Sequence, residues 1–179
     1  MALFCILIST KIYNSIQKAE NEFSIIYHVP KYSVLESKTG NQAFSITTTS
    51  DEKLNYATLS NRMKNNYQIE NLHPIDTIVK TTNYLHFKNF VFLEKDAYFL
   101  LDNYSNVEQV ESEFPAKIIV TDNSKLDMNI IHSTINNQLL ILDSSNHPNQ
   151  NDAWDLFANI SKFQTYNVTR SGAYFNNQK

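Results

Sequence analysis

Gly40 and Gly172 are the only glycines in this 179-residue chain, and that scarcity decides much of what the chain can build. Loops that cradle phosphate need glycines, because a residue without Cβ lets the backbone approach a ligand closely and adopt positive φ freely. The P-loop and the dinucleotide-binding fingerprint are therefore both excluded. Charge narrows the field again. A formal net charge of −3 and an isoelectric point near 5.9 argue against a domain that wraps nucleic acid by bulk electrostatics. Arg62 and Arg170 are the only arginines, so bidentate recognition of phosphate or guanine has few donors.

A hydrophobic share of 42% and an aromatic share of 12% are ample for a core. A chain of this length fits one domain that buries roughly two thirds of its unfolded surface. Cys5 is the only cysteine, which leaves no internal disulfide and no thiolate zinc cluster. The amino terminus opens on the apolar run Ala2-Leu3-Phe4-Cys5-Ile6-Leu7-Ile8, broken at Lys11. It is too short to span a bilayer, which takes about 20 apolar residues. It also lacks the basic n-region of a signal peptide. One reading is a buried strand or the first turns of a core helix. The other is the trailing end of a membrane helix, with Lys11, Tyr13 and Lys18 at the water interface. On that second reading residues 1–22 are a membrane-proximal helix tail and linker, and residues 23–179 are the soluble domain.

Along the chain, residues 23–29 read as a strand rich in aromatic and β-branched side chains, stopped by Pro30. Short strands over 33–36 and 43–49 follow, joined at Gly40, which supplies the positive φ of a tight hairpin. Residues 51–68 carry spaced apolar side chains (Leu54, Tyr56, Ala57, Leu59, Met63) and read as a helix. Strand-like runs over 75–80, 84–93 and 98–101 complete a meander-like first half. The second half changes character: a strand over 116–121, a helix over 127–135, the apolar strand Leu139-Leu140-Ile141-Leu142, a helix over 149–163 and a strand over 164–169. In the last helix Trp154, Leu156, Phe157, Ile160 and Phe163 fall on one face, with Asp152 and Asp155 near its start. This strand–helix–strand–helix–strand order implies parallel pairing through crossover helices. The fold class is α/β with mixed sheets.

The five histidines, His28, His73, His86, His132 and His147, are scattered without a pair at helical ligand spacing, so no zinc motif is visible. Asp122 and Asp143 each end a strand and are followed by serine and asparagine, the place where α/β proteins put functional groups. Asp122, Asp143, Ser144 and His147 are thus candidates for one polar rim. The competing structural reading is that such side chains satisfy backbone donors in the loops that follow. No G-x-S-x-G elbow exists, so triad chemistry has no specific support from sequence.

The order of these short motifs resembles the carboxy-terminal soluble domain of ComEC-type DNA-uptake membrane proteins. Ile25-Ile26-Tyr27-His28-Val29-Pro30-Lys31-Tyr32-Ser33 looks like that family's strand running into a V-G-Q-G-D-S turn, with both glycines and the Asp absent. Thr47-Thr48-Thr49 stands where its acidic ligand element belongs. Its ending is better matched: Leu140 to Asp143, then His147-Pro148, a helix, Tyr166-Asn167-Val168, and Thr169-Arg170-Ser171-Gly172-Ala173. The family's H-x-(H/D)-x-D-H cluster and later H-H-G-S segment are missing, and of its functional positions only His147 is retained. A single ligand cannot hold a divalent metal.

The resemblance implies a degenerate metallo-β-lactamase-like fold that has lost its metal-dependent nuclease site, with no cofactor. It implies a non-catalytic domain that docks on or gates the membrane channel of its own parent protein, on the extracytoplasmic side of the inner membrane. Lys31, Tyr32 and Arg170, placed in turns of the opening and closing strands, are the expected contacts to single-stranded DNA, bound weakly through few charges. Two other readings stay open: a metal-independent hydrolase built on the Asp/Ser/His rim, and a membrane-tethered interaction module unrelated to DNA.

Overall fold

The computed structural model describes residues 6, 22–39, 42–49, 51–65, 67–69, 71–74, 77–80, 84–87, 89–93, 96–102, 117–124 and 138–178. Their elements run β1 (Glu22–Ile26), β2 (Val34–Thr39), β3 (Gln42–Thr47), α1 (Asp51–Asn65), β4 (Asn71–Pro74), β5 (Val79–Lys80), β6 (Tyr84–Phe87) and β7 (Phe90–Leu93). Then follow β8 (Ala97–Leu101), β9 (Lys117–Val120), β10 (Leu139–Leu142), α2 (Pro148–Ser161), β11 (Gln164–Asn167), α3 (Val168–Ser171) and β12 (Tyr174–Gln178). Two mixed sheets result, one ordered β12-β1-β2-β3-β4 and the other β11-β10-β9-β8-β7-β6-β5. In the larger sheet β8, β9, β10 and β11 are all parallel, and β5 to β8 form an antiparallel meander.

Strand side chains alternate between faces, and the alternation sorts the core into three layers. Phe99, Leu101, Ile118, Val120, Leu140 and Leu142 point from the larger sheet onto Trp154 and Ala158 of α2. Tyr98, Leu100, Ile119 and Ile141 point the other way and meet Ile26, Leu35, Phe44 and Ile46 of the smaller sheet. The far face of the smaller sheet places Phe23, Ile25, Val34 and Ala43 against Leu54 of α1. The order of layers is therefore helix, sheet, sheet, helix. Strands β9 and β10 are covered on both faces, which is why they read as nearly unbroken apolar runs.

Several sequence expectations need correction. The run over 84–93 is not one strand but the hairpin β6–β7, paired Phe87↔Phe90 around residues 88–89. Strand β4 was not foreseen because Pro74 ends it. A proline is tolerated there because β4 is an edge strand, paired only with β3, in parallel. On α1 the buried face is Leu54 and Thr58, while Tyr56, Leu59 and Met63 are exposed. On α2 Trp154 is buried as expected, yet Leu156 and Ile160 are exposed, and Asn151 and Ala158 complete the inner face. Residues 127–135, for which a helix was expected, and residues 1–21 apart from Ile6 lie outside the described residues. So do Gly40 and His132.

Candidate functional site

The carboxy ends of the parallel strands β9 and β10 bring the Asp/Ser/Asn segments together. Asp143 is fully buried, and its Oδ1 accepts from the Ser145 backbone N–H at 3.0 Å and from the Ser145 hydroxyl at 2.6 Å. Burial pushes the Asp143 carboxyl up to about 6, against the Ser145, Ser33 and Thr121 hydroxyls, which pull it down. Its Oδ2 has no hydrogen bond of good geometry among the described residues. Ser145 Oγ also accepts from Asp122 N at 2.7 Å, and Asn146 accepts from Asn123 N at 2.8 Å while donating to Val120 O at 2.6 Å. Asn123 Oδ1 accepts in turn from the His147 backbone N–H. Asp122 and Asn123 both lie in the left-handed region, at φ 52 and 53, where Asp and Asn are tolerated. These bonds lace the two strand-end loops to each other.

The same rim is tied to the smaller sheet. His28 Nδ1 and Ser144 Oγ share a hydrogen bond of 2.8 Å, and Lys31 N donates to Ser144 O at 2.8 Å. Lys31 adopts φ 71, a left-handed conformation unusual for a lysine, in the turn where the family it resembles has two glycines. Beside this turn lies a groove of about 530 Å³, walled by His28, Pro30 and Tyr32 on one side and by Glu52, Lys53 and Tyr56 of α1 on the other.

Each candidate thus has a place. Asp122, Asp143 and Ser144 do meet at one rim, and His147 sits beside it as the N-cap of α2, its Nδ1 accepting from Asn149 N at 3.3 Å. The histidine that reaches Ser144 is His28, which sequence reasoning had not connected to it. Lys31 and Tyr32 lie together in the turn. Arg170, in α3, is engaged by two carboxylates, Asp152 at 2.6 Å and Asp155 at 3.2 Å. Among the described residues, the positions where the related family carries its acidic ligand element hold threonines engaged in backbone contacts. Thr47 Oγ1 accepts from Thr49 N and Thr48 Oγ1 from Ser33 N, so the threonines at the expected ligand positions close a turn. Among the described residues no group of three or more His, Cys, Asp or Glu converges.

The family model of the ComEC C-terminal domain matches residues 24–178. The chain belongs to that family. Membership ties it to DNA uptake in competence and to a membrane-associated family. Among the described residues no helix is long and apolar enough to cross a membrane. No curated protein and no solved structure matches the chain.

Two arrangements in this ComEC C-terminal domain escaped sequence reasoning. Glu36 of β2 is fully buried under α1, where Arg62 pairs with its Oε1 through Nε and a terminal nitrogen. The Tyr27 and Tyr67 hydroxyls donate to Oε2 at 3.0 and 2.9 Å, and burial beside Glu36 raises both phenols well above their ordinary range. The second arrangement sits at the amino ends of β8 and β9, where Asp96 binds Lys117, Asn176 of β12 and Tyr98, and Tyr98 bonds Ser24 of β1. It pins the two sheets together. No local signal announces either, since the ties that close them, Arg62 to Glu36 and Asn176 to Asp96, join residues 26 and 80 positions apart.

Proposed function

We propose that this chain is a non-catalytic accessory domain of a DNA-uptake channel, a metallo-β-lactamase-like fold whose metal site is lost. It docks on or gates the membrane portion of its parent protein, on the extracytoplasmic side of the inner membrane. One observation carries the reading: Ser145, Asn146 and Asp143 Oδ1 are spent on hydrogen bonds that lace the two strand-end loops together, so these groups act as cross-links between loops. The helix–sheet–sheet–helix layering and the family match support the fold assignment. Lys31 and Tyr32 are the contacts assigned to a passing single strand, with Arg170 already held by Asp152 and Asp155.

DNA uptake in cells that make the full-length parent protein tests this. Removing residues 23–179 is expected to abolish uptake, while Ser144→Ala leaves it intact. Loss of uptake with Ser144→Ala in a stably folded protein would overturn the non-catalytic reading. Elemental analysis is expected to find no tightly held zinc or manganese, and one ion per chain would count equally against it.

A second reading, a metal-independent hydrolase, has the His28–Ser144 contact of 2.8 Å in its favour. A working pair needs a third group to orient the base. Asp143 instead directs its bonded oxygen at Ser145, and Ser144 is buried. Covalent labelling of Ser144 by a fluorophosphonate would support this second reading.

A further inference from the structure

We propose that the groove between the β1–β2 turn and α1 is a stacking site for a base of single-stranded DNA. This rests on the reading above and extends it, because it gives the transported strand a specific seat. Tyr56 is 95% exposed, the most exposed of the large hydrophobic side chains among the described residues, and it lines the groove together with Tyr32 and Pro30. A bare ring is costly to hydrate unless something covers it, and a nucleobase offers a flat π-face of matching shape whatever its identity. A duplex hides those faces, so the fitting occupant is a single strand.

Charge agrees with this choice. Arg62, Lys117 and Arg170 are neutralised by Glu36, Asp96 and the pair Asp152 and Asp155. Lys53 is held differently: its ammonium bonds the Tyr32 hydroxyl and lies 4.5 Å from the centroid of the Tyr32 ring. Its ammonium thus sits at the groove against an aromatic ring and not against a carboxylate. Lys31, exposed at the turn with φ 71, adds a second cation. Glu52 repels phosphate from the groove interior, so the base enters and the backbone stays at the rim against Lys31 and Lys53. A volume of about 530 Å³ accommodates one base and its sugar, inside the roughly 300–1,000 Å³ typical of small-molecule sites.

Fluorescence anisotropy at low salt with a labelled 12-mer oligothymidylate, and with an abasic strand of equal length, tests the site on the whole 179-residue chain. The abasic strand is expected to bind more weakly, and Tyr56→Ala to weaken the oligothymidylate by about 5- to 150-fold. Tyr56→Phe keeps the ring and should bind as the parent does. Since Tyr56 is almost wholly exposed, its removal does not endanger the fold. Lys53→Ala is expected to weaken both strands alike. Equal binding of the two strands, or oligothymidylate binding untouched by Tyr56→Ala, overturns the groove while a DNA contact elsewhere survives. Loss of uptake in Tyr56→Ala cells with unchanged oligonucleotide affinity also overturns it, and assigns the α1 face to a protein partner. No binding of either strand at low salt overturns the site, and leaves the docking role to the uptake experiment.

Discussion

Asp143 is held where a carboxylate is poorly solvated, and the consequence is a measurable pH dependence. Its folded pKa of about 6 lies above its ordinary value of 3.8, so the folded state binds the proton more tightly. The group therefore contributes stability that is fully present below about pH 4 and is lost as pH rises to about 6. Two pKa units correspond to about 3 kcal/mol. Asp143→Asn keeps the Oδ1 acceptor for Ser145 and removes the titration. The variant is expected to gain stability relative to the parent between pH 4 and 6 in denaturant melts; parallel curves would show that Asp143 does not titrate there. Lys31 tests backbone strain at the same scale. A left-handed residue with a Cβ costs roughly 1–2 kcal/mol, partly offset in a glycine by about 0.5–1 kcal/mol of extra chain entropy. Lys31→Gly is thus expected to raise stability by up to about 1 kcal/mol, and Lys31→Val to lower it; a glycine variant that melts earlier would contradict the assigned φ. Neither consequence was legible in sequence, because the strand-end position of Asp143 marked it as a candidate without showing how deeply it is buried, and the glycines of the related turn were simply missing.

At the scale of elements, legibility followed locality. Strand β10 was readable because four apolar residues in a row suit a strand buried on both faces, and α2 because Trp154 and Phe157 recur at helical spacing. Trp154→Ala is expected to cost roughly 3–5 kcal/mol in urea titration. A cost under about 1 kcal/mol would mean the indole is not a core anchor. The inner face of α1 was not readable, for the opposite reason. Its apolar residues are spaced around the helix without defining one side, and the helix docks through Arg62 and Asn61 on the buried network of Glu36, Tyr27 and Tyr67. A side chain that is polar in sequence becomes an inner residue only when its partner, 26 positions away, is known. Arg62→Met is expected to destabilise by roughly 3–5 kcal/mol, since it strands a buried carboxylate. Glu36→Leu combined with Arg62→Met should cost less than the two single changes added together, and strict additivity would show that the pair is not coupled.

For the whole molecule, the net charge of −3 sets how any strand is held. The net charge gives DNA little long-range attraction, and among the described residues three cations are engaged in ion pairs: Arg62 under α1, Lys117 between the sheets, and Arg170 of α3 against α2. The layering was legible only as an α/β class with parallel strands late in the chain, because sheet order depends on which distant strands meet. The charge balance, by contrast, was legible at once, and it carries the last expectation. Contact with two or three phosphates, at about 0.7 per phosphate for a single strand, gives a slope of log K against log salt of about −1.4 to −2. Lys31→Ala is expected to make that slope shallower by about 0.7, whereas Arg170→Ala leaves it unchanged, since its guanidinium already faces Asp152 and Asp155. Binding should fade near physiological salt, as suits a strand that must keep moving through a channel. A slope steeper than about −4 would mean contact with more than about five phosphates, and would overturn the assignment of the strand to the Lys31 turn.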